Sequence, residues 1–258
     1  MIKALIARVR QGHRTMRYPD APPPAMPAHF RGAPVIDPSR CPDGCRECAD
    51  ACPTDAIAVS STGVALDLGR CIFCPECEAA CPEGAITFTN DYRLATRERD
   101  DLLVRPGEER ELAAALDKKL RSLFGRSLKL RVVSAGDCNG CVSDVNVLST
   151  IGWDIGRFGI QYVASPRHAD GLIVMGPVTE NMRLALRKTY DAIPEPKLVI
   201  AVGACAISGG IYAGHPEQHD GAASTVPVDL YIPGCPPHPL TILDGLLRLL
   251  GRIENGKS

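Results

Sequence analysis

What most constrains this chain is a cysteine run that occurs twice. The first copy reads Cys41-x3-Cys45-x2-Cys48-x3-Cys52-Pro53 followed by "TDAIAV", and the second reads Cys71-x2-Cys74-x2-Cys77-x3-Cys81-Pro82 followed by "EGAITF". Three thiolates on one tight loop grip three corners of a 4Fe-4S cube, while the fourth, just before proline, reaches the other cube. A pseudo-twofold between the copies therefore assigns Cys41, Cys45, Cys48 and Cys81 to one cluster, and Cys71, Cys74, Cys77 and Cys52 to the second. Four-cysteine zinc modules also use short pairs, but they have no need of two interleaved copies of the longer run. The extra residue of the first copy, within "CPDGC", is expected to loop out through Gly44, which lacks a Cβ and so takes backbone angles that other residues avoid.

The remaining four of the twelve cysteines stand on turns. Cys138 and Cys141 form a C-x2-C pair after a strand-like run, and that pair alone suits zinc, a redox disulfide or an iron-sulfur cluster. Cys205 in "VGACAISGG" and Cys235 in "IPGCPPHP" each follow an apolar run. From Lys129 onward strand-like stretches at 129–134, 171–176, 197–203 and 229–232 alternate with helical ones at 141–150, 178–190 and 238–250. That alternation predicts an α/β unit, a parallel sheet with helices, whose ligands bind at the carboxyl ends of the strands. All the cysteine turns of this half fall at such ends, so four thiolates converge there.

The rest of the chain organises these sites. With 258 residues and 45% hydrophobic content the protein has enough apolar material for a real core. No apolar run has the length of a membrane-spanning helix, and the N-terminal run is expected to be too short for a secretory leader, which argues against a disulfide framework. Lys/Arg against Asp/Glu is seven to two over residues 1–40, two to nine over 41–91, and eleven to seven over 92–131. Aromatics are 5% of the chain, too few for a nucleic-acid interface of basic stripe and stacking rings. Residues 1–18 are expected to form a short basic amphipathic helix with Ile2, Leu5, Ile6 and Val9 on one face, away from Lys3, Arg8 and Arg10. Seven prolines in residues 19–38 predict an extended strap. Leu112, Leu116, Leu120 and Leu123 recur at helical spacing, which predicts a linker helix. His13, His29, His168, His215, His219 and His238 form no metal-binding pattern. The expected units are residues 1–40 (helix and strap), 41–91 (two-cluster unit), 92–128 (linker) and 129–258 (α/β).

"RSLKLRVVSAGDCNGC", "FGIQYVASPRHADGLIVMGPVTENM", "PEPKLVIAVGACAISGG" and "PVDLYIPGCPPHPLTILDGLLRLL" together resemble the small subunit of group 4, energy-converting NiFe hydrogenases such as formate hydrogenlyase, a family similar to the complex I 20 kDa subunit that carries cluster N2. Residues 1–91 resemble the bacterial-type two-cluster ferredoxin subunit of the same complexes, so the chain looks like a fusion of the two. The resemblance implies a flavodoxin-like sheet after a small α+β ferredoxin, and a third 4Fe-4S cluster, the proximal one, on Cys138, Cys141, Cys205 and Cys235. It implies no catalytic residue in this chain. Electrons would pass between a donor or acceptor module and a separate large subunit, either NiFe-hydrogenase-type or complex I 49 kDa-like, with membrane subunits alongside at the cytoplasmic face of the cell membrane. In the complex I branch the acceptor is quinone and nickel is absent. The spaced pair Cys138 and Cys141 matches the hydrogenase branch, since complex I subunits carry adjacent cysteines. Val142-Ser143-Asp144 departs from that branch, which places acids directly after the second cysteine and two positions further on.

Overall fold

The computed structural model describes residues 2–11, 15–42, 44–60 and 63–253. Helix α1 (Ile2–Gln11) opens the chain; Met1 and residues 12–14, which the helix expected over 1–18 also included, lie outside the described residues. An extended strap follows, held to the rest of the molecule by Met16 N–H on the Gly152 carbonyl at 2.8 Å and by the Tyr18 hydroxyl on Asp244 Oδ1 at 2.8 Å. Strand β1 (Pro34–Ile36) begins inside the stretch expected as strap. Its proline heads the strand, a position where no ladder hydrogen bond needs the missing N–H.

Each cysteine run then makes a short helix followed by a strand. The first gives α2 (Glu47–Asp50) and β2 (Ile57–Ser60), which turns into β3 (Gly63–Asp67); the second gives α3 (Glu76–Ala80) and β4 (Ile86–Phe88). Strands β1 and β4 pair antiparallel, as do β2 and β3. A short strand β5 (Leu103–Val104) adds to β3, so the segment expected to be a linker completes the sheet of the cluster unit.

The helix expected across "EERELAAALDKKLRSLF" is real only at its end, as α4 (Lys118–Phe124). Asp117 caps it by accepting the Leu120 N–H at 2.9 Å, which fixes the start. Upstream, the backbone N–H groups of Ala113 and Leu116 bond to the carbonyls of Ala95 and Leu249 at 2.7 and 2.9 Å. Those long-range bonds replace the helical ones, and both side chains are buried. Leu123, read as part of the apolar stripe, is 51% exposed, and Phe124 is buried instead.

The C-terminal half is a five-stranded, wholly parallel sheet. In chain order it comprises β6 (Leu128–Ser134), α5 (Gly140–Val147), β7 (Ile160–Tyr162), β8 (Gly171–Met175), α6 (Glu180–Asp191), β9 (Leu198–Val202), α7 (Ala204–Ser208), β10 (Leu230–Ile232) and α8 (Pro239–Leu249). The spatial order is β7-β6-β8-β9-β10. This is the flavodoxin-like 2-1-3-4-5 arrangement, in which the order reverses between the first and third strands and leaves a crevice at their carboxyl ends. β8 and β9 are buried at every residue, as central parallel strands covered on both faces must be.

Beyond the strap, further contacts hold the halves and the segment between them together. Thr96 and Tyr231 exchange backbone hydrogen bonds at 3.0 and 2.9 Å along the β10 edge. Arg99 donates both arms of its guanidinium to Asp67 at 2.8 and 2.6 Å, and Ser208 Oγ donates to the Gly69 carbonyl at 2.8 Å. One apolar core runs through the seam, from Ile36, Leu66 and Cys77 to Val133, Val174 and Ile207.

Candidate metal centres

The two copies position their thiols alike. Cys48 lies in α2 and Cys77 in α3, both buried, while Cys52 and Cys81 stand just past the helices. Cys52 Sγ accepts the Ala56 N–H at 3.3 Å and Cys81 Sγ accepts the Ala85 N–H at 3.2 Å, the same four-residue loop in each copy. Cys71 Sγ accepts the Phe73 N–H at 3.3 Å. N–H groups aimed at sulfur stabilise thiolate charge and are one means by which a protein tunes a cluster. Gly44 takes φ +74°, as the looped-out residue requires; Asp43 beside it lies outside the described residues.

The thiols crowd one another within each part of the unit. Burial raises the Cys48 thiol, with Cys41 and Cys81 adding to the effect. Burial pushes Cys71 up to about 12, with Cys77, Cys52 and Cys74 as its sulfur neighbours. Cys77 rises to about 11 through burial and then through Cys74, Cys52 and, across to the other set, Cys48. Thiols crowded in this way resist ionising by themselves, and a cation core that takes up their charge removes the conflict. Cys45 stands half-buried.

At the carboxyl ends of β6, β9 and β10 the last four cysteines converge. Asp137 shapes the first turn by accepting the Asn139 N–H at 3.0 Å and the Ser134 hydroxyl, and Asn139 takes φ +69°. Cys138 is thereby exposed, and Cys141 is buried in the first turn of α5. Cys205 lies in α7 and Cys235 on the turn after β10, exposed. Burial raises Cys141 and then Cys205, Cys235 and Cys138 raise it further; Cys205 is pushed up to about 11 by burial, then by Cys235 and Cys138. The backbone makes room here. A Cβ on Gly203, which has φ +91°, would lie 2.5 Å from Cys141 Sγ, and one on Gly210, at φ +57°, would lie 2.8 Å from Cys205 Sγ. Four thiols around a space that side chains would fill suit a bulky inorganic group. Among the described residues no three His, Cys, Asp or Glu side chains close on a point that one metal ion could occupy; a cube instead holds its thiolates apart, one at each corner.

The groups of thiols adjoin one another. Cys48 and Cys77 feel one another across the first gap, and Cys235 feels Cys74 across the second. The second gap contains a cleft of about 240 Å³ lined by Ile72, Phe73, Asp144, Cys235, His238 and Thr241 among others. Burial raises the Asp144 carboxyl. His238 caps α8: its Nδ1 accepts the Leu240 N–H at 3.1 Å, with its ring edge-on to Phe30 and Trp153. His219 meets Glu180, and His215 Nδ1 accepts the Glu217 N–H. The glycines flanking Cys205 in "VGACAISGG" point from the sequence to a close backbone approach, and the structure adds which sulfur each of them faces.

Residues 138–249 match the family described as NADH ubiquinone oxidoreductase, 20 kDa subunit, and residues 33–82 match the 4Fe-4S dicluster domain. The chain is 39% identical to a probable membrane-bound hydrogenase subunit of Pyrococcus furiosus over 54% of this chain and 84% of that protein. It is 41% identical to formate hydrogenlyase subunit 7 of Escherichia coli, covering 56% of each chain. To an NADH-quinone oxidoreductase subunit of Symbiobacterium thermophilum it is 44% identical, covering 45% of this chain and 65% of the other.

Proposed function

The chain belongs to the family of the 20 kDa subunit of NADH ubiquinone oxidoreductase, and from that premise we propose that it is the electron-transfer subunit of a membrane-associated, hydrogenase-type oxidoreductase complex, carrying three 4Fe-4S clusters. The observation that supports this reading is the succession of neighbouring thiols, Cys77 beside Cys48 and Cys235 beside Cys74. Cys41, Cys45, Cys48 and Cys81 hold the outermost cluster, Cys71, Cys74, Cys77 and Cys52 the middle one, and Cys138, Cys141, Cys205 and Cys235 the proximal one. Each cluster, when bound, accepts and releases a single electron.

The residues of the chain do the rest. Buried Cys48, Cys71, Cys77 and Cys141 keep water from the inner faces of the sites. The N–H groups of Ala56, Ala85 and Phe73 hold charge on sulfur. Exposed Cys138 and Cys235 bring the third site to the surface, where a large subunit is positioned to exchange electrons with it. Electrons enter or leave through a separate donor or acceptor module at the Cys41 end, and the assembly sits with its membrane subunits at the cytoplasmic face of the membrane.

The large subunit is proposed to be of the nickel-iron type because Cys138 and Cys141 are spaced by two residues, as in the hydrogenase branch. A second reading has a specific observation behind it: Val142 carries no charge where that branch has an acid, and relatives include quinone oxidoreductase subunits. In that case the partner is complex I-like and passes electrons to quinone without nickel. Metal analysis of the complex that copurifies anaerobically with this chain separates them. Nickel in stoichiometric amount with abundant iron is expected; an iron-replete, intact complex without nickel transfers the assignment to the quinone branch.

A further inference from the structure

Among the described residues, α1 is the one α-helix with no buried side chain. Its large apolar residues share one side. At about 100° per residue, Ile2, Leu5, Ile6 and Val9 fall within an arc of about 100°, and they are 76%, 72%, 45% and 77% exposed. An isolated helix of this length is marginal in water, since helices draw most of their stability from packing an apolar face. Nothing in the described chain covers this face, so the covering surface comes from outside.

Charge selects which surface. Residues 1–17 contain Lys3, Arg8, Arg10, Arg14 and Arg17 and no Asp or Glu. By helical register Lys3 and Arg10 border the apolar arc, where their long stems can lie along an apolar layer while the charged ends reach anionic groups above it. An apolar groove on a protein would accept the arc but gives no reason for five cations without one anion. At about 1.5 Å per residue the helix is about 15 Å long, half the thickness of a bilayer core, so it lies along a membrane and does not span it. The attachment is defined: beyond residues 12–14 the chain is fixed by Met16 N–H on Gly152 O and by Arg157 donating to the carbonyls of Met16 and Tyr18.

We propose that α1 is an interfacial anchor that lies in the headgroup layer of an anionic phospholipid membrane, with Ile2, Leu5, Ile6 and Val9 directed into the acyl boundary. The anchor is this chain's own and stands apart from which large subunit it serves. One short helix binds reversibly, so its affinity is weak, salt-sensitive and additive with the contacts of the assembled complex.

The test is flotation of the purified, cluster-loaded full chain with vesicles of phosphatidylglycerol and phosphatidylcholine, against phosphatidylcholine alone. The wild-type chain is expected to float with the anionic vesicles, to stay down with the neutral ones, and to be released by raised salt. Leu5→Glu with Val9→Glu is expected to abolish flotation while the visible spectrum of the clusters is unchanged. Leu184→Glu, at an exposed apolar position on α6, is expected to float like wild type. The proposal is overturned if the wild-type chain ignores anionic vesicles, which would give the arc to a protein partner, if neutral vesicles bind equally, or if the double variant floats undiminished.

Discussion

At the scale of single residues the third site depends on atoms that are missing as much as on those present. Gly203 is the clearest case, because a methyl there meets both an unfavourable φ and the Cys141 sulfur at 2.5 Å. Gly203→Ala is therefore expected to displace a ligand without removing one. Cys235→Ser removes one outright. Both variants should lose about four iron atoms per chain together with the signal of the proximal cluster, and both should keep the other two clusters. Iron analysis with spectroscopy of the reduced protein checks this, and retention of all three clusters by Cys235→Ser would refute the assignment of that thiol. Val142-Ser143-Asp144 acts at the same scale. Ser143 Oγ bonds back to the Asn139 carbonyl at 2.8 Å, Val142 packs beside the core, and Asp144 faces the cleft between the second and third sites. The run thus keeps an acid facing the space between centres although it has lost the one next to Cys141.

Among the elements, α8 shows how the chain is bound together. All eleven of its residues are buried, Asp244 and Arg248 included. A helix enclosed on every side needs cover on the face that an open α/β sheet would leave to water. The strap and the extended stretch before α4 supply it, through Tyr18 on Asp244 and Leu116 on Leu249. Arg248 Nε meets Asp244 Oδ2 at 2.7 Å, and the Tyr18 hydroxyl takes the other carboxylate oxygen. Breaking a buried ion pair from one side is costly because the remaining charge stays buried. Asp244→Ala is expected to lower stability by about 3–5 kcal/mol, whereas Tyr18→Phe, which removes one hydrogen bond and keeps the ring, costs about 1 kcal/mol. Denaturant titration of the two variants measures both, and equal costs would mean that the hydroxyl, not the ion pair, is the clamp.

For the molecule as a whole, the consequence of the seam is that two units behave as one body. Strand β5 comes from between them, Thr96 extends the edge of β10, and Arg99 grips Asp67. The shared core makes unfolding of one half expose apolar surface of the other. Loss of helical signal and bleaching of the clusters are accordingly expected to coincide in a single transition on denaturation under anaerobic conditions. Two separated transitions would mean that the seam is a contact between independent domains. A rigid body also keeps the gaps between centres constant, which fixed-distance electron exchange needs.

How much of this was legible beforehand differs by feature. The cysteine sets are proposed from the sequence because cluster ligation is local, with spacing within each run and proline after the last cysteine bearing on its geometry. Strands 129–134, 171–176, 197–203 and 229–232 reappear as β6, β8, β9 and β10 within a residue or two; β8, β9 and β10 are continuously apolar, as buried parallel strands are, while β6 alternates through Lys129 and Arg131. Strand β7, three residues at an edge, has too little pattern to be seen. The linker misled because Leu112 to Leu123 has helical periodicity, yet Ala95 and Leu249 lie far away in sequence and offer its N–H groups other partners. By itself, then, the sequence determined where the sheet begins and that α1 has an apolar and a cationic side. Only the tertiary structure decided the strand order, which sulfurs Gly203 and Gly210 face, and the core shared across the seam. These depend on approaches between residues distant along the chain, and no local spacing encodes them.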